Sequence, residues 1–157
     1  MLVTNHILAG SVIGLTIQEP ILAITVAFLS HFLMDALPHF GYPGKKGYPE
    51  VLKHKLSYAV GLFTLLSTFG VISFLVSNQL WFSLICGLVA VSPDIVGVYN
   101  YTVYEKKGKH AIGLLKLFHV QFHRGIQNFE RPWGIYIEIL IFVILLSLVL
   151  IFSGNII

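Results

Sequence analysis

Ser30-His31-Phe32-Leu33-Met34-Asp35-Ala36-Leu37-Pro38-His39 closes an apolar run, Ile21 to Leu29, that reads as a membrane helix. His31 and Asp35 stand four apart, so on a helix both project from one face. His39 continues that face one turn on, unless Pro38 has already ended the helix. Ionisable side chains at this depth are costly to expose to lipid, and they face a bundle interior or a wet cavity. Two imidazoles and a carboxylate also make a ligand set for a divalent cation. The competing reading is a histidine and an aspartate that satisfy each other in a polar helix seam.

Outward from this stretch, composition sets the class. Of the 157 residues, 56% are hydrophobic and 11% charged, and the mean hydropathy is +0.83. A soluble domain is roughly 45–50% apolar and about 25% charged. The length suits one domain, residues 1–157, and the single Cys86 excludes an intramolecular disulfide. The chain reads as an integral membrane protein. Five spans are expected, at about 2–17, 20–37, 56–76, 80–98 and 132–152, with an amphipathic helix at about 109–127. The predicted fold is therefore an all-α, polytopic membrane helical bundle.

Leu2 to Ile17 is interrupted by Thr4, Asn5 and His6. No Lys or Arg precedes this run and no small-residue cleavage site follows, so a removable signal peptide is not expected. As a helix it reaches only about 24 Å, against a hydrocarbon core of about 30 Å. Gly10 and Gly14 form a small-xxx-small face that admits another helix closely. Gln18-Glu19-Pro20 reads as a turn with Pro20 at the first position of the next helix, so the first two helices form a hairpin. That hairpin returns His6 to the membrane level of His31 and His39. In the fourth span, Ser92-Pro93-Asp94 has the pattern of a helix start, so a kink or restart is expected, with Asp94 bordering a polar cavity. Lys109, Gly113, Lys116, His119, His123 and Gln127 share one stripe of the amphipathic helix, either as its solvated face or with the histidines as further ligands. Glu138 lies roughly two turns inside the last span.

With turns so placed, all ten basic residues fall on one side: Lys45, Lys46, Lys53, Lys55, Lys106, Lys107, Lys109, Lys116, Arg124 and Arg131. The positive-inside rule makes that side cytoplasmic, with the amino terminus inside and the carboxyl terminus outside. Such basic loops face anionic headgroups and need no nucleic acid. His6, His31, Asp35, His39, Asp94, His119, His123 and Glu138 then all lie at or just inside one face. The first ligand candidates are His6, His31, Asp35, Asp94 and His123, followed by His119 and His39. That is more than the three or four that one zinc takes, so one or two ions, zinc or manganese, are compatible with the set. A metal there lowers the pKa of a bound water towards about 7 and readies it to attack a phosphoryl or acyl group. Asp35 or Glu138 is the candidate base, and Arg124 is either the partner of a substrate phosphate or that of Glu130. No Gly-rich phosphate loop and no Ser/His/Asp triad is evident.

Four short motifs carry a resemblance: His6 near the start, Ser30-His31 with Asp35, Ser92-Pro93-Asp94-Ile95, and His123-Arg124-Gly125. Together they resemble the YdjM-like family of bacterial inner-membrane proteins, described as membrane-bound, metal-dependent hydrolases. Family members place Pro-Asp and His-Arg before Ser-His-x-x-x-Asp, so the motif order differs here. Where the family tends to read Asp-Ile-Asp, this chain has Asp94-Ile95-Val96. Where it tends to read His-Arg-Gly-x-Thr-His, the chain has His123-Arg124-Gly125-Ile126-Gln127-Asn128. The resemblance implies a metal-dependent hydrolase in a bacterial or archaeal cytoplasmic membrane. An ester or phosphoester of a lipid or lipid-linked anionic amphiphile is the substrate class expected at such a surface. A divalent-metal or proton transporter would use the same residues but needs polar groups through the full bilayer. A non-enzymatic metal-binding membrane module would need only the ligands.

Overall fold

The apolar runs form five helices among the described residues: α1 (Val3–Thr16), α2 (Pro20–Asp35), α3 (Lys55–Ser77), α4 (Trp81–Val103) and α5 (Gly134–Gly154). The computed structural model describes residues 1–41, 55–103 and 130–154. The described fold is all-α apart from one short parallel pairing, β1 (His39–Phe40) on β2 (Glu130–Arg131). Three helices are long and apolar enough to cross a membrane: α3 with 23 residues, the 19-residue stretch Trp81–Tyr99 of α4, and α5 with 21. α1 and α2, with 14 and 16 residues, reach only about 21 and 24 Å at the helical rise. Of the five spans expected, three are thus helices long enough to cross by themselves, and two are shorter apolar helices. The amphipathic helix at 109–127 lies outside the described residues.

α1 is short because it is the axis of the bundle. Every residue from Thr4 to Ser11 is buried, and α2, α3, α4 and α5 all pack against it. A helix ringed by helices need not match the hydrocarbon thickness by itself. Successive residues turn by about 100°, so three in a row meet three different neighbours. The Thr4 hydroxyl lies 3.2 Å from the Thr64 carbonyl and 2.9 and 2.7 Å from the Ser67 and Thr68 hydroxyls of α3. Asn5 Nδ2 donates to the Glu138 carbonyl of α5 at 3.1 Å. His6 turns to α2. Interhelical bonds of this kind are worth about 0.6–2 kcal/mol each in a membrane, and here they join the axis to its surroundings.

The glycine face of α1 meets α4 rather than its hairpin partner α2. A Cβ at Gly10 would overlap the Cys86 carbonyl, and one at Gly14 would stand 2.8 Å from Ser83 Cα. Gly87 returns the favour, with a Cβ there only 2.9 Å from the Ile7 carbonyl oxygen. Ile7, Leu8, Val71, Leu75, Leu80, Val91 and Val149 form the main apolar core. Leu65, Leu66, Phe69, Leu140 and Ile151 stay exposed on the outer faces, as lipid-facing positions do.

Local chemistry sets the turns. Pro20 opens α2, and the Glu19 carboxylate caps it by accepting from the Ile21 and Leu22 amides. After α3, Gln79 takes a left-handed φ of 57°. The Gln79 amide donates to Val76 O at 3.1 Å and the Leu80 amide to Leu75 O at 2.9 Å, which is the Schellman closure. Leu75 and Leu80 supply its apolar contact inside the core.

Of the kink or restart expected in α4 at Ser92-Pro93-Asp94, the restart is absent, and the helix runs through Pro93 to Val103. Proline withholds the N–H that Val89 O would accept. The Ser92 hydroxyl supplies a donor instead, 2.7 Å from Val89 O. α5 starts at Gly134, where a Cβ would overlap the His39 backbone. One turn on, Glu138 Oε1 accepts from the Phe40 amide at 3.1 Å, so α5 clasps β1 by its first two turns.

Candidate metal centre

Three helices bring four chemistry-bearing side chains to the end of the bundle where α1 begins. α1 contributes His6, α2 contributes His31 and Asp35 four residues apart, and α4 contributes Asp94. The His6 and His31 rings stack, with centroids 4.2 Å apart and planes 25° from parallel. Asp35 lies beside both: Oδ1 is 3.2 Å from His6 Nε2, and Oδ2 is 3.3 Å from His31 Nε2. The Met1 amino group is 2.8 Å from Asp35 Oδ1. Asp94 Oδ1 approaches His31 Nε2 to 3.9 Å. His6, His31 and Asp35 are wholly buried, whereas the Asp94 side chain keeps 26% exposure.

One donor atom from each of His6, His31 and Asp94 lies within 4.8 Å of the others, close enough to hold a metal ion. Tetrahedral bonds of about 2.1 Å place ligand atoms about 3.4 Å apart, so the 3.9 Å separation of His31 and Asp94 needs little adjustment. His31 Nδ1 lies 2.9 Å from the Ala90 carbonyl. A carbonyl only accepts, so Nδ1 donates to it, and in a neutral ring Nε2 is then the nitrogen left to bind an ion. Neither nitrogen of His6 makes an aligned hydrogen bond among the described residues, although the ring is buried. Buried polar atoms are nearly always satisfied. A divalent transition ion, which takes imidazole and carboxylate together, fits this donor set.

The remaining candidates are placed differently. α2 stops at Asp35, so His39 does not continue the ligand face. It is buried in β1 and donates from Nδ1 to Leu37 O at 2.8 Å. Burial pushes its imidazole pKa down, with the Met1 ammonium adding to the effect, so the ring stays neutral. Glu138, also buried, is engaged with the Phe40 amide rather than with the histidines. His119, His123 and Arg124 lie outside the described residues. Sequence reading did not single out the Ala90 carbonyl, nor did it assign partners to Thr4 and Asn5. The signal for the latter pair was present, since three successive polar residues in an apolar helix must each find a partner.

Comparison of the chain with protein-family models, with curated proteins and with solved structures gives no match, so its functional reading rests on the chemistry of this site.

Proposed function

We propose that the chain is a membrane-bound, metal-dependent hydrolase of the YdjM-like kind. Its substrate is an ester or phosphoester of a lipid or lipid-linked anionic amphiphile. The observation that carries the reading is the convergence of two buried imidazoles and a carboxylate from three helices at one end of an apolar bundle. Beyond His6, the α1 axis continues into Leu8, Leu75, Leu80 and Val149, which favours a one-ended site over a conduit. In this reading all five helices lie in a bacterial or archaeal cytoplasmic membrane, α1 sheltered by the others, with the amino terminus inside. The one-sided basic residues support that orientation.

The ion, zinc or manganese, would be held by His6, His31 and Asp94 and would supply Lewis acidity and a readily ionised water. His6 and His31 bind as neutral donors, and the Ala90 carbonyl fixes the ring of His31. Asp94 completes the set from the exposed side, where substrate arrives. Asp35, paired with the Met1 ammonium and held against both imidazoles, would fix the orientation of the two rings. Glu138 orders β1 through the Phe40 amide.

Two experiments test this reading. Detergent-solubilised protein is incubated with phospholipids and isoprenoid phosphates, with and without zinc or manganese. Water-soluble product is expected only with metal, and Asp94→Asn abolishes it while leaving the helical content unchanged. Metal and lipid binding without turnover of any panel member would replace the enzyme by a binding module. For topology, single cysteines at Ser77 and Arg131, in a background with Cys86→Ala, are labelled in intact cells. Position 77 is expected to react from outside, and position 131 only after permeabilisation. The opposite pattern inverts the orientation.

A further inference from the structure

We infer that Pro93 is a positioning residue for His31, acting through the carbonyls of the turn that precedes it in α4. This rests on the reading of His31 as a metal ligand. Proline removes the donor of Val89 O and its ring crowds that carbonyl, which turns the peptide planes of the preceding turn away from the helix axis. Two carbonyls of that turn have side-chain donors in place: Val89 O from the Ser92 hydroxyl at 2.7 Å, and Ala90 O from His31 Nδ1 at 2.9 Å. The second bond crosses from α4 to α2 and fixes which nitrogen of His31 carries the proton. Nε2 is thereby held towards Asp35 and Asp94, at 3.3 and 3.9 Å. In a helix without Pro93, a residue 93 amide would bond Val89 O, draw the turn back into register and withdraw Ala90 O from the ring.

The test uses full-length protein labelled with 15N at histidine, together with Pro93→Ala and Ser92→Ala variants. In metal-free wild type in alkaline buffer, His31 is expected as one tautomer, protonated at Nδ1. Pro93→Ala is expected to give a mixture of tautomers and to bind Co2+ about 10–100-fold more weakly, the range found when a ligand loses its outer partner. Ser92→Ala keeps the proline and is expected to keep the single tautomer. Circular dichroism confirms that each variant is folded, and alanine at position 93 favours the helix. A single Nδ1-protonated tautomer in folded Pro93→Ala would overturn the inference. Loss of that tautomer in a protein that binds no Co2+ would support the positioning role while removing the metal reading.

Discussion

The double variant His31→Ala, Asp94→Asn is expected to lose its divalent ion, binding Co2+ at least about 100-fold more weakly than wild type, because even outer partners of ligands contribute about 10–100-fold. Each change removes one member of a three-residue set drawn from different helices. Asp94→Asn keeps the shape and removes the anion. His31→Ala removes the ring that stands between both carboxylates. His39→Ala serves as the control. His39 is buried nearby but bonds Leu37 O and lies outside the set, so this variant should retain its ion. Absorption of the Co2+-loaded protein reports coordination directly, and elemental analysis reports content. Unchanged Co2+ spectra and affinity in the double variant would move the site elsewhere. Loss in His39→Ala equal to that in the double variant would show that the response is one of folding.

The site was partly legible because helical spacing is a local property. His31 and Asp35 share a face by their separation of four, and the Gln18-Glu19-Pro20 turn brings His6 back to them. The proline beside Asp94 marked a polar neighbourhood. Spacing could not show that α2 ends at Asp35 and leaves His39 to a strand. It also could not show that Ser92 would complete the ladder of α4 instead of capping a new helix. The pairing of His39 with Glu130 joins residues far apart in the chain over two positions, too short for any alternating pattern. The place of α1 at the bundle axis was hidden for another reason. Lipid and an apolar helix face are alike to a hydrophobic side chain, so hydropathy cannot tell a peripheral helix from a central one. Only Thr4, Asn5 and His6, which need partners on three sides, carried that information.

Gly10→Ala should damage the helix bundle severely for the addition of a single methyl. A Cβ there overlaps the Cys86 carbonyl and stands 2.8 Å from Gly87 Cα, and both obstacles are backbone. A side chain can swing aside, but a packed helix backbone moves only as a body, so α1 and α4 must separate. Overpacking ordinarily costs about 1–3 kcal/mol, and this site belongs at or above the upper figure. The same displacement parts His6 on α1 from Asp94 on α4, so metal affinity should fall together with thermal stability. Gly61→Ala is the matched comparison, since a Cβ at Gly61 meets nothing within 4 Å. That change should be neutral or stabilising by up to about 1 kcal/mol, the helix preference of alanine over glycine. Thermal unfolding in detergent, read alongside Co2+ titration, compares the two variants. Equal stability of Gly10→Ala and Gly61→Ala would mean that the α1–α4 seam is looser than a glycine contact. The axial placement of α1, and with it the convergence of the three ligands, would then fall.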